Sequence, residues 1–359
     1  MLPLLATLVL VAGALPGSAG DRVNVRWQGK TGTSAALPAG FPEPAHAVLT
    51  AWEPFLKKAG YRADADATGR CLLLTSEKGS HADEELRQVG KISSWLDAHF
   101  PALPAPAAAS SEKPAPVCAA LFVLRNPEEY ALLLAQLAQV APALAGWTTD
   151  AKKDTGFVLI EPLCAAFLES APGLKEWSPA HELIDRCAQL LLVQRFGEQP
   201  YWIQQGVAWA AEWGYDSTIF SYPYRHEFVA VTEHSAWPGD LKLALAAREQ
   251  KPLELAEFAL MRRGHWDPDR ARLAFGCASF MALQPGPKVA QALADLQAYR
   301  DEQNRKDQGD GTWTRDPLYE IPAGKQLELL EAQLGPKLME RVSAFLAKGN
   351  ESFKALARP

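Results

Sequence analysis

Ser178-Pro179-Ala180-His181-Glu182-Leu183-Ile184-Asp185-Arg186-Cys187-Ala188-Gln189-Leu190-Leu191-Leu192-Val193-Gln194-Arg195-Phe196-Gly197 is the stretch on which the reading of this chain turns. Ser178 suits an N-cap, Pro179 suits the first helical position and Gly197 ends the run, so the stretch predicts a helix to about Phe196. Beyond its polar opening the helix is apolar almost all round, which predicts a central, buried position. Residues four apart share a face, so His181 and Asp185 point the same way, with Ala188 and Leu192 continuing the stripe. Glu182 lies on an adjacent face, within reach of Arg186. A buried helix that opens with His, Glu and Asp needs partners or a bound ion for them. An i,i+4 His181–Asp185 contact and an i,i+4 Glu182–Arg186 pair would satisfy all four groups without any ion. After Glu198-Gln199-Pro200 a second helix is predicted from Tyr201 to Trp213, through Gly206.

Upstream, Glu43–Ala59 and Ala82–Phe100 carry apolar residues at helical spacing, and Pro101 ends the second. Arg70–Thr75 and Val117–Leu124 are apolar runs fit for strands, as are Gly156–Ile160 and Leu163–Leu168. Asn126 caps a helix beginning at Pro127, with Glu128 and Glu129 in its first turn. Residues 21–40 predict an irregular or weakly extended start. The Pro-, Ala- and Ser-rich run 101–116 is a connector between a small N-terminal α/β segment (20–100) and the rest (117–350). Downstream the pattern is almost wholly helical, near Arg225–His234, Asp240–Arg248, Leu253–Arg262, Arg270–Leu283, Pro287–Gln303, Gly324–Leu334 and Pro336–Lys348. Asp307–Asp316 is a polar loop whose oxygen ligands do not alternate as a calcium site needs. The Tyr-rich stretch Tyr215–Tyr224 covers a helix junction or lines a cleft.

Nearly half of the 359 residues are hydrophobic and 11 are Trp, so the chain can bury a substantial core. A formal charge of −6 argues against nucleic acid or an anionic membrane surface as partner. Met1–Gly20 has an apolar run followed by Pro16-Gly17-Ser18-Ala19, which matches a secretory signal peptide over 1–19. No spanning segment follows. The expectation is a secreted or periplasmic (cell-envelope) protein. Five scattered cysteines admit one or two disulfides with an odd thiol, or five buried thiols in apolar stretches.

His181-Glu182-Leu183-Ile184-Asp185 is one residue short of H-E-x-x-H, in which two His one turn apart hold zinc and the Glu acts as general base. Tyr201-Trp202-Ile203-Gln204-Gln205-Gly206-Val207-Ala208 follows on the second helix. Together with Leu121–Tyr130 and Gly276–Met281, these segments resemble the gluzincin zinc peptidases, most of all the divergent peptidase-MA-like domains of exported bacterial proteins. The resemblance covers residues 117–345. It implies an α+β protein: a small N-terminal α/β segment, then a zincin-like, mainly helical domain.

By that resemblance His181 matches the first zinc ligand and Glu182 the general base. Asp185 stands at the second His, and Gln205 at the third-ligand Glu of a W-[LI]-x-E-G-x-A segment. Asp reaches less far than imidazole and Gln is a neutral, poor zinc donor. With no cation to activate water, Glu182 would be idle. The resemblance therefore implies a pseudoenzyme with no cofactor, serving as a binding or scaffolding module for a protein or peptide ligand. The alternative is an active zinc hydrolase using His181, Asp185 and a migrated carboxylate. Candidates for that recruitment are Glu212 and, seven apart on one helix face, the pair His226 and Glu233. A structural envelope protein with a closed cleft is the third reading.

Overall fold

The computed structural model describes residues 22–77, 81–103, 117–171, 177–220, 235–248, 251–262, 267–284, 286–307, 313–316 and 319–357. The expected signal segment and most of the Pro/Ala-rich run lie outside these residues. So does the helix expected over Arg225–His234, and with it His226 and Glu233. Seven strands form one mixed sheet: β1 (Asn24–Trp27), β2 (Lys30–Thr33), β3 (Tyr61–Ala65), β4 (Cys71–Ser76), β5 (Ala119–Leu124), β6 (Gly156–Leu159) and β7 (Cys164–Leu168). Their order is β2-β1-β3-β4-β5-β7-β6. β4 pairs in parallel with β5 across the Pro/Ala-rich run, and β5 in parallel with β7. Residues on the two sides of that run therefore build one sheet.

The central strands are apolar without interruption because both faces are covered. Leu73, Leu121 and Phe167 enter one core; their neighbours Leu74, Phe122 and Ala166 enter the other. The second core is closed by α1 (Glu43–Ala59), α3 (Pro127–Val140) and the short α4 (Ala145–Asp150). The first and larger core is closed by α2 (Ala82–His99), α5 (Pro179–Phe196) and the helices that follow.

Those helices are α6 (Tyr201–Asp216), α7 (Trp237–Ala246), α8 (Pro268–Ala282), α9 (Lys288–Gln303), α10 (Ala323–Leu334), α11 (Leu338–Leu346) and α12 (Asn350–Phe353). α5 packs on the sheet, on α2 and on α6, the central position its apolar faces predict. α6 lies between α5 and α8. A Cβ at Gly206 would stand 2.6 Å from the Ala274 carbonyl oxygen, so glycine is what lets α6 sit against α8. Trp95 of α2 donates to the Leu356 carbonyl at 3.2 Å, tying the C-terminal end of the chain to the front of the fold.

The mixed α and β content and most helix bounds follow the sequence reading; strand β3 and helix α4 were not expected, and the following segments depart from what was. Residues 24–33 form a hairpin, turned by Gln28 and Gly29 at positive φ, rather than an irregular start. Leu253–Arg262 holds a single 3-10 turn at Leu255–Glu257, with Glu254 and Glu257 forming a capping box. Its buried residues Leu253, Leu255, Phe258, Ala259 and Met261 fall at intervals of two, three, one and two, which no single helix face can bury. The polar stretch Asp307–Asp316 includes strand residues, in a two-stranded hairpin of β8 (Arg305–Asp307) and β9 (Trp313–Arg315). All five cysteines are buried free thiols, which settles that alternative in favour of apolar packing. Among the described residues no helix is long and apolar enough to cross a membrane.

Candidate functional site: a buried polar seam between two helices

Two local devices set the seam. The Ser178 hydroxyl accepts from the His181 backbone N–H at 3.5 Å, fixing the first turn of α5 with His181 and Glu182 inside it. At the far end of α6, Ser217 adopts a left-handed conformation (φ 54°) that turns the chain back over the helix. The Phe220 N–H then donates to Glu212 Oε2 at 3.0 Å, and its ring lies 4.7 Å from the His181 ring. α5 and α6 run antiparallel, so the start of one meets the end of the other.

His181 Nδ1 lies 2.8 Å from Glu212 Oε2, and Nε2 lies 3.4 Å from Asp216 Oδ2. Both ring nitrogens thus face carboxylate oxygens. His181 is 6 % exposed and Glu212 fully buried. Burial pushes the proton affinity of Glu212 up, against the hydrogen bond and charge of His181, which pull it down.

One turn further along α5, Asp185 is held by amides. Gln205 Nε2 donates to its Oδ2 at 2.6 Å and Gln189 Nε2 donates to its Oδ1 at 2.7 Å. The same Gln189 nitrogen lies 3.1 Å from Gln205 Oε1, and Gln204 Nε2 donates to Gln189 Oε1 at 3.3 Å. The Arg186 guanidinium completes the group. Its Nη2 donates to Glu182 Oε2 at 3.1 Å and its Nη1 lies 3.4 Å from Asp185 Oδ1. Glu182, Asp185, Arg186 and Gln205 are all at least nine-tenths buried.

The structure thus brings Asp185 and Gln205 together and brings Glu212 to His181. Glu182 joins Asp185 through Arg186, the i,i+4 pair expected from the sequence. The expected His181–Asp185 contact does not form: the partners of Asp185 are Gln189, Gln205 and Arg186, while His181 turns to the other end of α6. That correction has a simple cause. Glu212 and Gln205 are two turns apart on α6, and each draws the α5 side chain that faces it. Of the residues considered for recruitment, Glu212 is placed at the seam. His226 and Glu233 lie outside the described residues. Gln189, Gln204 and Asp216 were not foreseen. The signal for Gln189 was present, since it is the one polar residue between Arg186 and Gln194, four beyond Asp185.

Zinc does not fit this arrangement. Each Asp185 oxygen accepts a hydrogen bond from an amide, Gln205 presents its nitrogen rather than a lone pair, and the cation beside them is a guanidinium. Among the described residues no group of three or more His, Cys, Asp or Glu side chains could hold a metal ion. No protein-family model matches the chain, and no curated protein matches it.

The seam carries more acid than base, and this gives stability a pH dependence. Burial pushes the Asp185 carboxyl up to about 7; Arg186 opposes the shift, and the nearby charges of Glu212 and Glu182 add to it. A carboxyl whose proton is held more tightly in the folded state stabilises the fold below its unfolded pKa of 3.8. That stability is lost as pH rises toward 7. Asp185→Asn keeps the shape and removes the titration. Denaturant melts between pH 4 and 7 should show a shallower loss of stability for the variant, by as much as about 1.4 kcal/mol per pH unit. Parallel pH profiles would mean that Asp185 is ionised in the fold throughout.

Proposed function

We propose that this chain is an exported, non-catalytic relative of the gluzincin zinc peptidases that works as a binding module for a protein or peptide. The observation that carries the reading is the state of Asp185: its two oxygens are taken by the amides of Gln189 and Gln205, with Arg186 alongside. The acceptors that a metal would need are used by internal donors. Glu182, at the general-base position, is paired with the same guanidinium. Such a seam holds two helices in register; it does not polarise water. The apolar Met1–Gly20 run with its small-residue end supports export.

The second reading, a working hydrolase with His181 and a migrated carboxylate, draws on the contact between His181 and Glu212. That contact resembles the outer-shell carboxylate of a metal-bound imidazole. Hydrolysis of an internally quenched peptide library with added zinc separates the two. The wild-type chain should cleave no faster than Glu182→Ala. Zinc-dependent turnover that Glu182→Ala abolishes would overturn the proposal.

A further inference from the structure

A cleft of 650 Å³ opens beside the first turns of α5, between that helix and the N-terminal half of α2. Its apolar floor is the buried Phe167 from the end of β7 with Leu183 and Ile184 from α5; Pro179 and Ala180, exposed at the start of α5, also line it. Its rim is acidic, with Glu84 and Glu85 from α2, Glu169 just past β7 and Asp216 from the tip of α6. His81 and Lys91 also line it. Glu84 is engaged by Arg87, and Asp216 touches His181. Glu85 and Glu169 are half-buried and, among the described residues, neither has a side-chain hydrogen bond or ion pair. The charge of Glu169 makes that of Glu85 less favourable. Two desolvated carboxylates over an apolar floor are a place where a cation with its own N–H donors gains most.

We propose that this cleft binds a peptide segment through a lysine or arginine side chain flanked by apolar residues. The proposal deepens the binding-module reading and rests on it. The charge complementarity selects the basic side chain, and the apolar lining selects its apolar neighbours over a bare polyamine. Asp216 links the cleft to His181, so the occupant sits against the end of the polar seam.

The test uses the full chain and three acetylated, amidated probes, Leu-Lys-Leu, Leu-Gln-Leu and Leu-Glu-Leu, with spermidine as a fourth. At pH 8 calorimetry should show the lysine probe binding about tenfold tighter than the glutamine probe, with the glutamate probe weakest. Glu85→Gln and Glu169→Gln should each remove most of that preference while melting like the wild type. The preference should shrink from pH 8 to pH 6, because burial, then Glu169 and Asp64 against Arg62, push Glu85 up to about 7. Glu169 is raised by burial and by Glu129, against His81 and Arg125.

Equal binding of the lysine and glutamine probes, or a preference untouched by both variants, overturns the proposal. Spermidine binding as tightly as Leu-Lys-Leu overturns the peptide as occupant. Either failure leaves the absence of zinc-dependent hydrolysis standing, whereas zinc-dependent turnover would remove the reading on which both rest.

Discussion

Arg186→Met should destabilise the fold by about 3–5 kcal/mol, the cost of stranding a buried carboxylate without its guanidinium. The side chain it removes is buried and lies between Glu182 and Asp185. Methionine fills much of the same volume, so the loss reports charge rather than a cavity. Asp185 can take up a proton in response, because burial already holds its carboxyl near neutrality. The destabilisation should therefore be smaller at pH 5 than at pH 8. Adding Glu182→Gln to Arg186→Met should recover a large part of it, and a double-mutant cycle in urea measures that coupling directly. A loss under about 1 kcal/mol, with no coupling, would place the guanidinium in contact with water.

Gly206→Leu should cost about 3 kcal/mol and loosen the seam as well. The side chain would run into the Ala274 carbonyl oxygen and into Ala278 Cβ, 2.6 and 2.8 Å from a first carbon at 206. One obstacle is backbone, which cannot rotate away. The strain must be relieved by moving α6 off α8, and Gln205 is the neighbouring residue. Its 2.6 Å bond to Asp185 should lengthen or break. A normal melting midpoint for Gly206→Leu would show that α6 and α8 do not meet as described. Gly206→Ala should fall between, since only the first of the added carbons is present.

The helices that build the seam were legible because their signals are local. Ser178, Pro179 and Gly197 mark the ends of α5, and its apolar faces mark its central place. The i,i+4 geometry of one helix was enough to pair Glu182 with Arg186. Contacts across the seam were not legible in the same way. That Glu212 reaches His181, and Gln205 reaches Asp185, depends on the register in which two antiparallel helices slide together. That register is set by Gly206 against α8 and by the turn at Ser217, neither of which has a periodic signature. The edge of the sheet was missed for a related reason. β1 and β3 carry Arg26, Arg62 and Asp64, which break the apolar pattern by which a strand is recognised; Asp64 pairs with Arg26 across the strands and with Arg62 along β3.

One chemical idea joins these results: between α5 and α6, internal amides and a guanidinium already satisfy the buried carboxylates of Asp185 and Glu182. The most direct measurement is the zinc content of the wild-type chain, purified without chelator, equilibrated with excess zinc and freed of loosely bound ion. The wild type should retain well under about 0.1 zinc per chain, and Asp185→His combined with Gln205→Glu should raise this toward about one. About one tightly held zinc in the wild type, lost in His181→Ala, would contradict the account.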